Sequence, residues 1–253
     1  MKKIQLLFCS AMLTGGFFFS VAAYAADGGN YVSNGQVEFE TSDDPTDPVD
    51  PENPGEPVEP IDPTDPNGPN PGTQGPLSID FASSLDFGKQ MITSKDQIYN
   101  VAPQKYLKQI SVDQNGDPVY DTTPAEGPNY VQITDNRGLE TGWTLQLTQT
   151  AQFKNGTSEL TGAQIHLKAG QIVTNAQSPA PASSTETDLV PGTASVIMSA
   201  KQGEGAGTYL NTWGQTKADA PESIQLSVPG STTKYKGMYT THLSWILSDV
   251  PGN

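Results

Sequence analysis

The side chains of this 253-residue sequence whose types and spacing could do chemistry are few, and aromatic residues lead them. Trp143, Trp213 and Trp245 are its only tryptophans. An indole stacks on flat apolar ligand faces, and it equally fills a core. Trp143 and Trp245 each stand two residues before a leucine, Leu145 and Leu247. On an extended strand, positions i and i+2 share a face, so each pair forms an apolar ridge. Such a ridge serves core packing more often than ligand contact. Trp213 follows Tyr209-Leu210-Asn211-Thr212 after a glycine-rich loop and suits either role. Asp135 and Arg137 flank a polar turn, where they either bridge to each other or hold acidic groups of a ligand; at this spacing the local bridge is favoured. Tyr239 lies four residues before Leu243 and shares the face of Trp245.

Other constellations fail on spacing. His166 and His242 occupy separate strands with no second histidine or cysteine nearby, which leaves no zinc site. Gly203-Glu204-Gly205-Ala206-Gly207 lacks the spacing and the strand–helix context of a nucleotide loop and reads as a turn between strands. No nucleophile elbow, zincin motif or distinguished carboxylate pair is present. We therefore expect no catalytic residue, no metal and no cofactor, and a protein that is not an enzyme.

The elements that carry these residues are strands. Beyond Gly75 short runs alternate apolar with polar residues: Leu77, Ile79, Phe81; Ile110, Val112; Tyr130, Val131, Ile133; Ile165, Leu167; Val196, Met198; Ile224, Leu226, Val228. Separated by Gly, Pro, Asn and Asp, they predict half-buried antiparallel strands, with no helical period of useful length. Nine to eleven strands over residues 77–253 suit an all-β fold, a single Greek-key-like antiparallel β-sandwich. In Trp143–Thr150, Trp143, Leu145 and Leu147 face one way and Thr144, Gln146 and Thr148 the other. In Tyr239–Leu247, Tyr239, Leu243, Trp245 and Leu247 share a face.

Upstream, Lys2 and Lys3, an apolar stretch from Ile4 to Val21 and the small-residue pattern Ala23-Tyr24-Ala25 predict a signal peptide over residues 1–25, hence secretion. Cys9, the single cysteine, falls inside it, so the mature chain has no thiol. Residues 26–43 contain one weakly alternating segment, Gln36–Glu40, able to add an edge strand or to stay free. In residues 44–76 prolines recur every third position from Pro45 to Pro69, most of them after Asp or Glu. Three residues per turn is the polyproline II period, so this stretch predicts an extended acidic spacer or a disordered linker. The formal charge of −15 is segmental, with 14 acids and no base from Asp27 to Asp86. Without a basic patch, nucleic acid is excluded as a partner. After signal removal no membrane span is expected, and the ending SDVPGN carries no sorting signal, so retention at a surface would be non-covalent.

Two longer patterns surround the Trp-x-Leu pairs: Asp135-Asn136-Arg137-Gly138 before Trp143-Thr144-Leu145, and Tyr239-x3-Leu243-Ser244-Trp245-x-Leu247-x3-Pro251. Together with Leu77–Phe81 and Leu85-Asp86-Phe87-Gly88, they resemble the WxL domain of Gram-positive surface proteins over about residues 77–253. The resemblance implies non-covalent binding to cell-wall peptidoglycan through the C-terminal domain, with localisation at the cell wall or cell surface and assembly with other surface proteins. Peptidoglycan sugars would supply the apolar faces for Trp143, Trp213 or Trp245. The alternative is a protein–protein interaction module held at the wall through a partner surface protein. Ser244 departs from the threonine commoner at that place.

Overall fold

The computed structural model describes residues 31–252, and the expected signal peptide lies outside them. In chain order the first strands are β1 (Val49–Asp50), β2 (Asn53–Ile61), β3 (Leu77–Ala82), β4 (Gln97–Asn100), β5 (Gln104–Val112), β6 (Pro118–Tyr120), β7 (Ala125–Gly127) and β8 (Asn129–Asp135). Then come β9 (Trp143–Gln149), β10 (Lys154–Asn155), β11 (Ser158–Glu159), β12 (Gln164–Leu167), β13 (Gln171–Thr174), β14 (Ala182–Ser183) and β15 (Thr187–Leu189). The last are β16 (Ala194–Ala200), β17 (Gly207–Trp213), β18 (Ile224–Val228) and β19 (Leu243–Ser248), with one 3-10 turn at Ala220–Glu222.

The all-β expectation holds, and every strand pair is antiparallel. The strands divide into more and smaller sheets than the two of the expected sandwich. Three four-stranded sheets run β15-β12-β18-β4, β13-β17-β8-β3 and β14-β16-β9-β19, beside the β10-β11 hairpin and a sheet built on β1, β2, β5, β6 and β7. The sheets do not close into a barrel. One core joins the first three sheets: Ile165, Leu167, Leu189 and Leu226, Val131, Ile133 and Tyr209, and Trp143, Leu145 and Leu147 all belong to a single buried cluster. Of the expected apolar strand positions, Ile110, Val112 and Val196 are exposed instead: the first two lie on the end of β5 that pairs only with the short β6, and at Val196 a bulge leaves the neighbouring Ile197 buried in its place.

Strand β8 is buried along its whole length. Its second face, with Phe81 of β3 and Leu210 of β17, forms a separate apolar cluster against which Val49 and Val173 pack. The Phe81 and Tyr130 rings lie 4.8 Å apart. That second face explains a departure from the expected spacer. The proline-rich segment folds onto the domain: Val58 to Ile61 of β2 pair with Lys108 to Lys105 of β5. The amide of Val58 donates to Pro48 O at 2.9 Å. By strand alternation Pro60, which has no N–H, faces that same side, leaving Glu59 and Ile61 to bond β5. Polyproline II and β backbones are close in dihedral space, so a proline-rich chain enters an edge strand with little rearrangement.

Polar anchors complete the attachment. Gln132 of β8 accepts from Val49 N at 2.8 Å and donates to Asp47 O at 3.0 Å. Asp50 is buried, accepting from the Tyr106 hydroxyl at 3.0 Å and lying 2.6 Å from Lys108 Nζ. Asp50 thereby holds the Lys108 ammonium above its usual range, and Tyr106 is pushed well up by burial and then by the Asp50 charge. Residues from Glu40 onward make one unit. Residues 31–39 run without secondary structure, so the edge strand considered at Gln36–Glu40 does not form, and Tyr31, Val37 and Phe39 are exposed.

Candidate functional site

The two Trp-x-Leu strands, nearly a hundred residues apart in sequence, are neighbours. In the β9–β19 ladder Trp245 stands opposite Leu147 and Leu247 opposite Leu145. Residues opposite each other in a ladder share a face, so the ridges merge into one inward apolar surface. Trp143, Leu145 and Leu147 are fully buried there, whereas Trp245 and Leu247, on the edge strand, are half-buried. Trp213, buried at the end of β17, packs on Trp245 with ring centroids 6.2 Å apart. Tyr239 packs half-buried against the same core, and its hydroxyl accepts from Tyr235 N at 3.0 Å.

The turns around Trp143 have specific tasks. Its Nε1 donates to Gly205 O at 3.0 Å. Gly205 has φ +85°, and a Cβ there would fall 2.6 Å from Nε1, so the glycine-rich loop exists in part to bring backbone up to this indole. Asp135 and Arg137 do pair with each other: Nε meets Oδ1 at 2.9 Å and Nη2 meets Oδ2 at 2.8 Å. Arg137 Nη2 also donates to Gly142 O at 2.9 Å, which ties the turn to the first residue before the Trp143 strand. The hydrogen bonds and charge of Asp135 raise the Arg137 guanidinium above its ordinary value against a smaller opposing effect of burial. These two residues hold the entry to β9.

The reverse of the same sheet is what solvent meets. Three rows cross it: Ala194–Thr148–Ser244, Val196–Gln146–Ile246 and Ser199–Thr144–Ser248. No charged residue stands in any row, although the chain carries −15. Val196 and Ile246 are 46% and 53% exposed, apolar patches among hydroxyls and an amide.

One arrangement was invisible in the sequence. His166 Nδ1 contacts Asp188 Oδ1, and its Nε2 lies 3.1 Å from Ser227 Oγ. These are the contacts of a serine–histidine–aspartate triad. They arise because β12 stands between β15 and β18, with His166 directly opposite Asp188. Ser227 pairs with Gln164 on one side and Ile98 on the other, so the backbone N–H groups around it are drawn into the sheet. The trio joins the three neighbouring strands β15, β12 and β18 through side-chain contacts.

Among the described residues no helix is long and apolar enough to cross a membrane. Residues 26–251 match the family described as WxL domain surface cell wall-binding. The match includes the proline-rich segment, in keeping with its place in a sheet. No curated protein and no solved structure matches the chain.

Proposed function

The chain belongs to the WxL domain surface cell wall-binding family, and from that membership we propose that it is a non-enzymatic secreted protein attached non-covalently to cell-wall peptidoglycan, within a surface protein assembly. The observation that carries the reading is the uncharged outer face of the Trp-x-Leu sheet. With Trp143 buried and Trp245 turned inward, stacking on sugar by these indoles is replaced by contact through Gln146, Thr148 and Ser244, since the hydroxyls of Thr144 and Ser248 already donate to Val250 O and Thr144 O. Hydroxyls and amides both donate and accept, which suits the hydroxyl and acetamido groups of a glycan strand. The exposed Val196 and Ile246 offer apolar contact to sugar-ring faces. A strongly acidic chain approaches an acidic wall at least Coulombic cost through a face that bears no charge.

The mature chain should sediment with Gram-positive cell walls stripped of protein, and should do so equally at low and high salt, because an uncharged contact is not screened. Gln146→Glu places a charge at the centre of the face and should reduce the bound fraction by about ten-fold, as an uncompensated buried charge would, with the melting temperature unchanged. Binding that needs wall protein would favour retention through a partner surface protein, and binding to stripped walls that ignores Gln146→Glu would place the contact on another face; either result sinks direct attachment through this face.

A further inference from the structure

The second Trp-x-Leu strand is an edge. β19 pairs with β9 alone, and among the described residues no other backbone group bonds to Leu243–Ser248. The polarity of that ladder is known from Thr150 N, which donates to His242 O at 2.9 Å. Residues of the same parity, Ser244, Ile246 and Ser248, therefore direct their backbone groups at β9. Leu243, Trp245 and Leu247 direct theirs outward, leaving three donors and three acceptors along the edge.

Edge strands of soluble proteins are normally blunted by shortness, charge, proline or a bulge. The other edge of this sheet, β14, has two residues. Among the remaining sheet edges β4 and β13 have four residues each, β15 three. β3 matches β19 at six residues, but it carries Asp80 and a bulge between Ile79 and Phe81. Leu-Ser-Trp-Ile-Leu-Ser has no charge, no proline and no bulge.

We propose that β19 pairs with β19 of a second copy of this chain, antiparallel about a two-fold axis at Trp245, joining the two Trp-x-Leu sheets into one continuous sheet. The outward groups are self-complementary in this register. Leu243 meets Leu247 of the second copy, Trp245 meets its own counterpart, and each pair exchanges both backbone hydrogen bonds. A two-fold contact of this kind needs the same patch on both copies, and a strand with apolar residues placed evenly about its centre supplies it. Side chains agree with the backbone. Ile246, 53% exposed on the outer face, comes beside Ser244 of the second copy, and the half-buried Trp245 gains cover at its open side. Pairing also brings the two uncharged outer faces edge to edge, which would let weak contacts act together. The pairing itself stands without the wall-binding reading.

Analytical ultracentrifugation of the mature full chain across micromolar concentrations reads the outcome. A reversible dimer is expected. Ile246→Lys adds the missing edge charge at an exposed position and should weaken dimerisation on the order of ten-fold. Leu243→Pro removes an outward N–H while sparing the β9 ladder, and should do the same. If circular dichroism shows Leu243→Pro unfolded, Ile246→Lys decides alone. A wild-type chain that stays monomeric over the whole range, or a dimer that Ile246→Lys leaves intact, overturns the proposal. Wall sedimentation of the wild type is read as a separate measurement: a monomeric chain that still sediments overturns only the pairing, and a dimer that does not sediment overturns only the wall-binding reading.

Discussion

The two tryptophans that share a motif differ in environment, and substitution should separate them. Trp143 has no exposed surface and its indole N–H is bonded to Gly205 O. Trp143→Ala should cost about 3–5 kcal/mol. Trp245, half-buried on the edge strand, should cost about 1–2 kcal/mol on the same change. Chemical denaturation of both variants checks the order; equal losses would contradict the burial difference. Asp80 gives a second residue-level expectation. Burial raises its carboxyl above the ordinary value of 3.8, and hydrogen bonds from Ser78, Thr134 and Gln132 offset this only in part. The folded chain therefore holds this proton in a window above 3.8 where the unfolded chain has released it. Stability from this group is greatest below the window and falls as pH rises through the folded value. The melting temperature of the wild type relative to Asp80→Asn should accordingly decrease from about pH 3.5 to about pH 7. A difference that rises with pH would count against it.

Among the elements, the proline-rich segment tests whether packing or propensity governs. Its prolines recur every third residue, a period that no strand face can use. It nevertheless lies on the domain because Phe81, Tyr130 and Leu210 need cover and Gln132 and Asp50 anchor the backbone. Asp50→Ala leaves the buried Tyr106 hydroxyl without its acceptor and Lys108 without its partner, at a cost of about 2–3 kcal/mol. A glutamate-specific protease should then cut the native variant at Glu52, Glu56 or Glu59 well before the wild type. Equal cleavage rates would mean that the segment is not held by this anchor. The strand pattern elsewhere was readable where one face is buried, as in β9 and β18, whose burial alternates residue by residue. It was ambiguous in β8, where Tyr130-Val131 are consecutive apolar residues because both faces are covered.

At the scale of the whole molecule, the acidic charge and the uncharged Trp-x-Leu sheet belong to different places. The acids concentrated before Asp86 lie largely in a segment that folds beside β5, where Asp50 meets Lys108. The rows of the outer β9–β19 face, which we propose meets the wall, have none. This separation lets one chain remain strongly acidic while presenting an uncharged sheet, with β19 at its edge paired on one side only among the described residues.

Local pattern alone determined the β class, the two Trp-x-Leu strands, the two faces of each and the Asp135–Arg137 bridge, because alternation and i, i+2 geometry are properties of the backbone itself. Only the tertiary structure decided which strands are neighbours. Register between β9 and β19 set the ridges side by side, register between β12, β15 and β18 assembled His166, Asp188 and Ser227, and an apolar second face on β8 drew in the prolines. Each depends on contacts between residues distant in sequence, which are selected by the burial of shared surface and leave no trace in the spacing of any one segment.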